Sequence, residues 1–164
     1  MLIKLKEIIV VEFPFKLCGI GGTFDHLHKG HKLLIKTAFK LGKKVVIGLT
    51  TEEMIKHKKF QNFIENYEKR KENLLSYIAD LNPDNLNRCD IIPLNDPFGP
   101  AISTPELEVH VSSEESYKMA MRINQIREEN GLNKMILVII PAVLNKDGDK
   151  ISSSDIRARL DPKE

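Results

Sequence analysis

The chain has no surplus of charge of either sign: 25 basic side chains stand against 23 acidic ones, a formal net charge of +2. Binding along a nucleic-acid backbone draws on counterion release and needs a basic excess, so no nucleic-acid partner is expected. Cysteine is scarce as well. Cys18 and Cys89 stand alone inside apolar runs without a CxxC spacing. That argues against a disulfide framework or a zinc knuckle and for buried free thiols in a reducing compartment. No apolar stretch reaches the roughly 20 residues needed to cross a bilayer. The first residues, Met1-Leu2-Ile3-Lys4-Leu5-Lys6, alternate apolar and basic character and form no signal-peptide core. A cytoplasmic protein without a membrane partner is expected. Internal repeats and low-complexity linkers are also missing, so residues 1–164 read as one domain, long enough to bury a substantial core.

What the chain does have is alternation. Short β-branched runs at Lys16 to Ile20, Lys44 to Leu49, Asp90 to Leu94, Leu107 to Val111 and Met135 to Ile140 are close to uniformly apolar. Such runs are expected of strands covered on both faces. Between them lie segments of helical period. After His31, the residues Leu34, Ile35, Ala38 and Leu41 fall on one face until Gly42 stops the helix. A second helix is predicted over Ile64 to Asp80, with Tyr67, Lys71, Leu74, Leu75 and Ile78 along one side and Arg70 on its margin. A third is predicted over Glu114 to Asn130, ended by Gly131. This order predicts an α/β fold, a Rossmann-like doubly wound parallel sheet of about five strands. Residues 1–14, with the apolar run Ile8 to Phe15, form a lead-in or an edge strand. Residues 95–105 carry Pro97, Gly99, Pro100 and Pro105 and read as a long loop, a common form for a binding element. The basic runs Lys56-His57-Lys58-Lys59 and Lys69-Arg70-Lys71 read first as solvated faces, and otherwise as collectors of anionic substrate.

Two segments carry chemistry. The first strand leads through Gly21-Gly22-Thr23-Phe24-Asp25-His26-Leu27-His28-Lys29-Gly30-His31 directly into a helix. A strand, a glycine turn and a helix N-terminus offer backbone N–H groups to a phosphate. The third glycine of GxGxxG is missing, which disfavours a nicotinamide cofactor. His28 and His31, three residues apart, share one side of the helix start. With the helix dipole they suit negative charge building on a transferring phosphoryl group. Capping or packing histidines are the plainer reading. Metal ligation by Asp25, His26, His28 and His31 is a further alternative, although HExxH is absent, and no metal ligands are assigned.

Near the other end, Ile151-Ser152-Ser153-Ser154-Asp155-Ile156-Arg157 has the Ser152/Asp155 spacing of a capping box. Three successive hydroxyls exceed what one cap needs. With free N–H groups and Arg157 they suit the β- and γ-phosphates of a nucleoside triphosphate.

Together, Gly22-Thr23-Phe24-Asp25, His28-Lys29-Gly30-His31 and Ile151 to Arg157 resemble the motifs of the HxGH nucleotidyltransferase superfamily. Ile91 to Ala101, Val111 to Tyr117 and Ile123 to Arg127 look like the archaeal and eukaryotic-type phosphopantetheine adenylyltransferases. The resemblance implies adenylyl transfer from ATP, with Mg²⁺, to 4′-phosphopantetheine in coenzyme A synthesis. The alternative acceptors in the superfamily are flavin mononucleotide, nicotinamide mononucleotide and glycerol phosphate.

By the family's motif, His31 and His28 are the catalytic candidates. Gly22, Thr23, Phe24, Gly30, Ser152, Ser153, Ser154 and Arg157 hold ATP, and Thr23 also reaches the acceptor phosphate. The family's phosphate-binding lysine maps equally to Lys56, Lys58 or Lys59. Arg70 is either the family's arginine or a helix-surface ion pair. Ser112, Ser113 and Glu114 are expected beside ATP at the sheet's carboxyl edge. A nucleotide-sensing module without turnover and a metal-dependent hydrolase are the competing classes.

Overall fold

The computed structural model describes residues 13–161. Five strands, β1 (Phe15–Gly22), β2 (Gly42–Thr50), β3 (Cys89–Leu94), β4 (Val109–Ser113) and β5 (Ile136–Ile140), pair in the order β3-β2-β1-β4-β5, every pairing parallel. The chain winds outward from β1 first to one side and then to the other. The strand order therefore reverses between β1 and β4, where open α/β sheets bind ligands at their carboxyl ends. The helices are α1 (Lys29–Leu41), α2 (Glu52–Ile55), α3 (Tyr67–Leu81), α4 (Tyr117–Glu129) and α5 (Ser153–Ala158). Apart from Phe15, which opens β1, and the two residues before it, the early run lies outside the described residues.

Alternation along the strands divides the core. Cys18 and Ile20, Val45, Ile47 and Leu49, and Val109 and Val111 meet Leu34, Ile35, Ala38 and Phe39 of α1 and Leu74 and Ile78 of α3. Each such buried aliphatic side chain contributes about 1.5–3 kcal/mol of transfer free energy. On the opposite face a smaller cluster, Leu107, Ile123 and Met135, packs with Leu17, Phe98 and Leu137 beneath α4. That face is only partly covered over β1, β2 and β3, which leaves room for a cleft.

Several details depart from the sequence expectation. Helix α3 begins at Tyr67, because the Asn66 side chain accepts the Lys69 N–H and caps it there. Arg70 sits on its buried face with Leu74 and Ile78, whereas Leu75 is exposed, so the hydrophobic stripe is rotated from its expected position. A 3₁₀ turn occupies Glu114–Ser116 before α4 starts at Tyr117. Gly42 does end α1, but in extended backbone (φ −100°) that continues straight into β2. Its lack of a side chain matters for packing: a Cβ there would lie 2.5 Å from Cys18 Cβ. Cys18 is buried, which pushes its thiol pKa up to about 12, and Cys89 is half-buried; both are free.

Candidate active site

The segment after β1 is wound tightly. Phe24 (φ 49°) and His26 (φ 45°) both adopt the left-handed region that non-glycine residues seldom occupy. Each such position costs on the order of 1–3 kcal/mol and persists only where its surroundings over-determine it. Here they do. Phe24 and Asp25 are fully buried. The Asp25 carboxylate accepts the Glu65 N–H (2.9 Å), Glu65 accepts the His26 N–H (2.9 Å), and His26 Nε2 lies 2.8 Å from the Phe63 carbonyl.

His28 then caps α1. Its Nδ1 accepts the Gly30 N–H (3.1 Å), and His31 Nδ1 faces the His28 N–H (3.5 Å), a reciprocal capping box built from two imidazoles. The rings stack with centroids 3.8 Å apart, and Phe24 lies against His31 at 5.4 Å. Burial, then the neighbouring His28 and Lys58, pull the His31 pKa down to about 3; burial and Lys150 lower that of His28. Both rings are therefore neutral at pH 7. With each Nδ1 accepting a backbone N–H, the proton of each ring resides on Nε2. Two neutral N–H donors result.

The second motif docks onto the first through Asp25. The Arg157 guanidinium, 3% exposed, donates to Asp25 Oδ2 from Nη1 (2.6 Å), and Ser153 Oγ donates to the Asp25 carbonyl (2.8 Å). Arg157 Nη2 reaches Ser154 Oγ (3.2 Å) and its Nε the Lys59 carbonyl (3.3 Å). Arg157, expected to pair with phosphate oxygens, borders the cleft with three of its five N–H groups bonded to protein. The three serines divide their work. Ser152 is the N-cap, exchanging hydrogen bonds with Asp155; Ser153 tethers; Ser154 accepts from Arg157 and keeps its own proton free.

Between these elements opens a cleft of about 760 Å³, within the range of roughly 300–1,000 Å³ usual for ligand sites. Gly22, Thr23, Phe24, His28, Gly30, His31, Ser152, Ser153, Ser154 and Arg157 all line it, so both motifs meet around one space. Of the three candidate lysines, all exposed, only Lys58 lines the cleft, where reduced solvation and the Arg157 charge lower its pKa. Lys56 pairs with Glu53 on the surface and Lys59 is exposed; neither is at the cleft. Ser112 and Ser113 line it, but Glu114 does not: after the 3₁₀ turn it is Glu115, itself largely exposed, that borders the cleft and pairs with Lys150.

Arg70 is not a cleft residue. It is fully buried, and its Nη1 donates to the carbonyls of Thr23 (2.9 Å) and Thr50 (2.8 Å), which pins the ends of β1 and β2 together; its Nη2 makes no hydrogen bond but lies 3.9 Å from Glu52 Oε1, so the ion pair exists with the guanidinium buried and only the carboxylate at the surface. Sequence reasoning missed Asp25 as the joint between the motifs, and also Lys150, Glu115 and His110 at the cleft. Asp25 lies inside the quoted motif, but nothing local to it announces a partner 132 residues away.

The histidine-rich segment separates into two groups. Asp25, His26 and Glu65 bring possible metal-ligating atoms within 4.8 Å of one another, apart from the paired rings of His28 and His31. Their donor atoms already serve the hydrogen bonds described above, and Asn73 occupies the second Glu65 oxygen. The group acts as a latch for the strained loop.

No helix among the described residues is long and apolar enough to cross a membrane. The cytidylyltransferase-like family model matches residues 20–159. The phosphopantetheine adenylyltransferase of Pyrococcus abyssi is 46% identical over 146 residues, covering 89% of this chain and 91% of the relative. That of Pyrococcus horikoshii is 45% identical, covering 89% and 90%. Among solved structures, a protein of unknown function from Archaeoglobus fulgidus superposes with a TM-score of 0.66 at 30% identity, covering 84% of this chain and 100% of that one. A parallel sheet with the HxGH segment at its switch point, matched over most of its length by these relatives, places the chain in the cytidylyltransferase-like family of HxGH nucleotidyltransferases, beside the archaeal phosphopantetheine adenylyltransferases.

Proposed function

We propose that the chain transfers the adenylyl group of ATP to 4′-phosphopantetheine, forming dephospho-coenzyme A and pyrophosphate. The observation that carries this reading is the convergence of the His28/His31 cap and the Ser152–Ser154 segment on one cleft, joined through Asp25. The acceptor preference follows the archaeal relatives' names.

An acceptor phosphate oxygen attacks the α-phosphorus of ATP; that P–O bond forms while the bond to the bridging oxygen of the β-phosphate breaks. The nucleophile is already anionic, so the protein needs to position and to neutralise charge rather than to abstract a proton. His31 Nε2–H donates to the α-phosphate oxygens as their charge rises, and His28 Nε2–H supports a neighbouring oxygen. With its pKa at about 3, the His31 ring is a neutral donor throughout the ordinary pH range. The Thr23 hydroxyl accepts from Thr50 Oγ1 (3.2 Å), so its own proton is left to donate to the acceptor phosphate. Lys58, Lys150 and the Ser154 hydroxyl face the departing pyrophosphate, and Arg157 holds their platform in place.

Mg²⁺ fits as a companion of ATP. Asp96 at the cleft caps the N–H groups of Phe98 and Gly99, and Glu115 pairs with Lys150, so phosphate oxygens and water would be its ligands. Bound there, it would neutralise part of the triphosphate charge.

Incubation with ATP, Mg²⁺ and one acceptor at a time tests the proposal. Pyrophosphate release with 4′-phosphopantetheine, far exceeding that with flavin mononucleotide, nicotinamide mononucleotide or glycerol phosphate, is expected. Turnover with another acceptor and none with phosphopantetheine rejects it.

A further inference from the structure

The cleft continues well past the two motifs, along the less covered face of the sheet. On β4, His110 pairs in register with Gly19 of β1, three residues before the Gly22 end of that strand. At about 3.3 Å per residue, the His110 ring thus lies on the order of 10 Å deeper than the phosphate-binding turn. Gly19 brings the bare backbone of β1 up to Leu107 and His110 at the cleft wall: a Cβ there would come within 3.1 Å of Leu107 Cδ1 and 3.5 Å of His110 Nδ1 and crowd the ring. The same cleft is also lined by apolar Leu17, Leu107, Ala120 and Ile123, of which Leu17, Leu107 and Ile123 belong to one apolar cluster. Among the described residues no hydrogen bond or ion pair engages the His110 side chain, and burial alone lowers its pKa to about 4. It is a neutral imidazole, offering one donor and one acceptor. The ring is half-buried on the cleft wall, so its nitrogens are free to pair with whatever occupies the cleft.

We propose that His110 determines acceptor specificity by hydrogen-bonding the second amide of a slender, extended acceptor arm that runs from the phosphate turn past Gly19. An amide presents one N–H and one carbonyl, the complement of a neutral imidazole. This rests on the adenylyl-transfer reading above and adds to it the group that is recognised and the residue that recognises it.

The test compares 4′-phosphopantetheine with 4′-phosphopantothenate, which bears a carboxylate where the arm's second amide stands. Wild type, His110→Leu and His110→Gln are assayed for pyrophosphate release. Wild type is expected to prefer the full arm. His110→Leu should raise the KM for phosphopantetheine about tenfold or more, the usual cost of leaving a ligand amide unpaired, with the KM for ATP little changed and the preference between acceptors largely lost. His110→Gln, which keeps a donor and an acceptor, should recover much of the preference. An unchanged preference in His110→Leu, or equal losses on both acceptors, overturns the role of His110 and leaves the reaction standing. A wild-type protein with no turnover of phosphopantetheine overturns both.

Discussion

Replacing Asp25 by alanine removes the carboxylate that joins the two motifs. Asp25 is fully buried and Arg157 is 3% exposed, so the variant leaves a guanidinium enclosed opposite an empty space, 2.6 Å from where its partner stood. Breaking a buried ion pair from one side costs about 3–5 kcal/mol, because the remaining charge is neither solvated nor paired. The Glu65 N–H loses its acceptor too. For a domain of this size, 1 kcal/mol shifts Tm by about 2–4 °C, so the melting temperature should fall by roughly 6–20 °C. The Ser153 bond to the Asp25 carbonyl survives the substitution, so α5 should loosen rather than detach. Calorimetry gives the first number, and steady-state kinetics below the new Tm should give a raised KM for ATP. In a double-mutant cycle with Arg157→Met, a hydrophobic replacement at both ends should recover much of the lost stability, since the unpaired charge is then gone. An Asp25→Ala protein that melts within about 2 °C of wild type and binds ATP normally would refute the claim that this pair holds the site together.

His31→Ala should lower kcat by roughly 100-fold or more while ATP affinity, read by calorimetric titration, changes far less, as for a donor acting mainly in the transition state; equal loss in binding would assign it to ground-state contact. Lys58→Met should reduce kcat/KM for ATP by about tenfold or more, whereas Lys56→Met and Lys59→Met should stay within about threefold, since only Lys58 borders the cleft; comparable losses in all three would mean general attraction by the basic run. On acidification, an unfolded His31 takes up a proton near pH 6.5 that the folded protein refuses until about pH 3. Stability from this group is full above pH 6.5 and falls by up to about 1.4 kcal/mol per pH unit between those values. Denaturant melts of wild type and His31→Leu across that range should diverge in slope, and parallel slopes would mean that the ring is not held neutral.

The sequence by itself determined the architecture and the chemistry on offer. Uniformly apolar β-branched runs separated by helical periods permit little besides a covered parallel sheet, and each of the five strands overlaps one of those runs, the fourth displaced by two residues to Val109–Ser113. The HxGH segment and the serine run were legible because their residue types and spacing are local, and a helix start is a local event. Three matters waited for the tertiary structure. Lys56, Lys58 and Lys59 are chemically equivalent along the chain, and only the path of α2 into the turn after it aims one of them at the cleft. Arg70 looks like any helical arginine until Thr23 and Thr50, brought together by the β1–β2 pairing, present their carbonyls to it. Asp25 and Arg157 lie 132 residues apart, and their union depends on the sheet returning the chain's end to its beginning. Periodicity records which face of an element meets the core; it carries no record of which distant atom will be standing there.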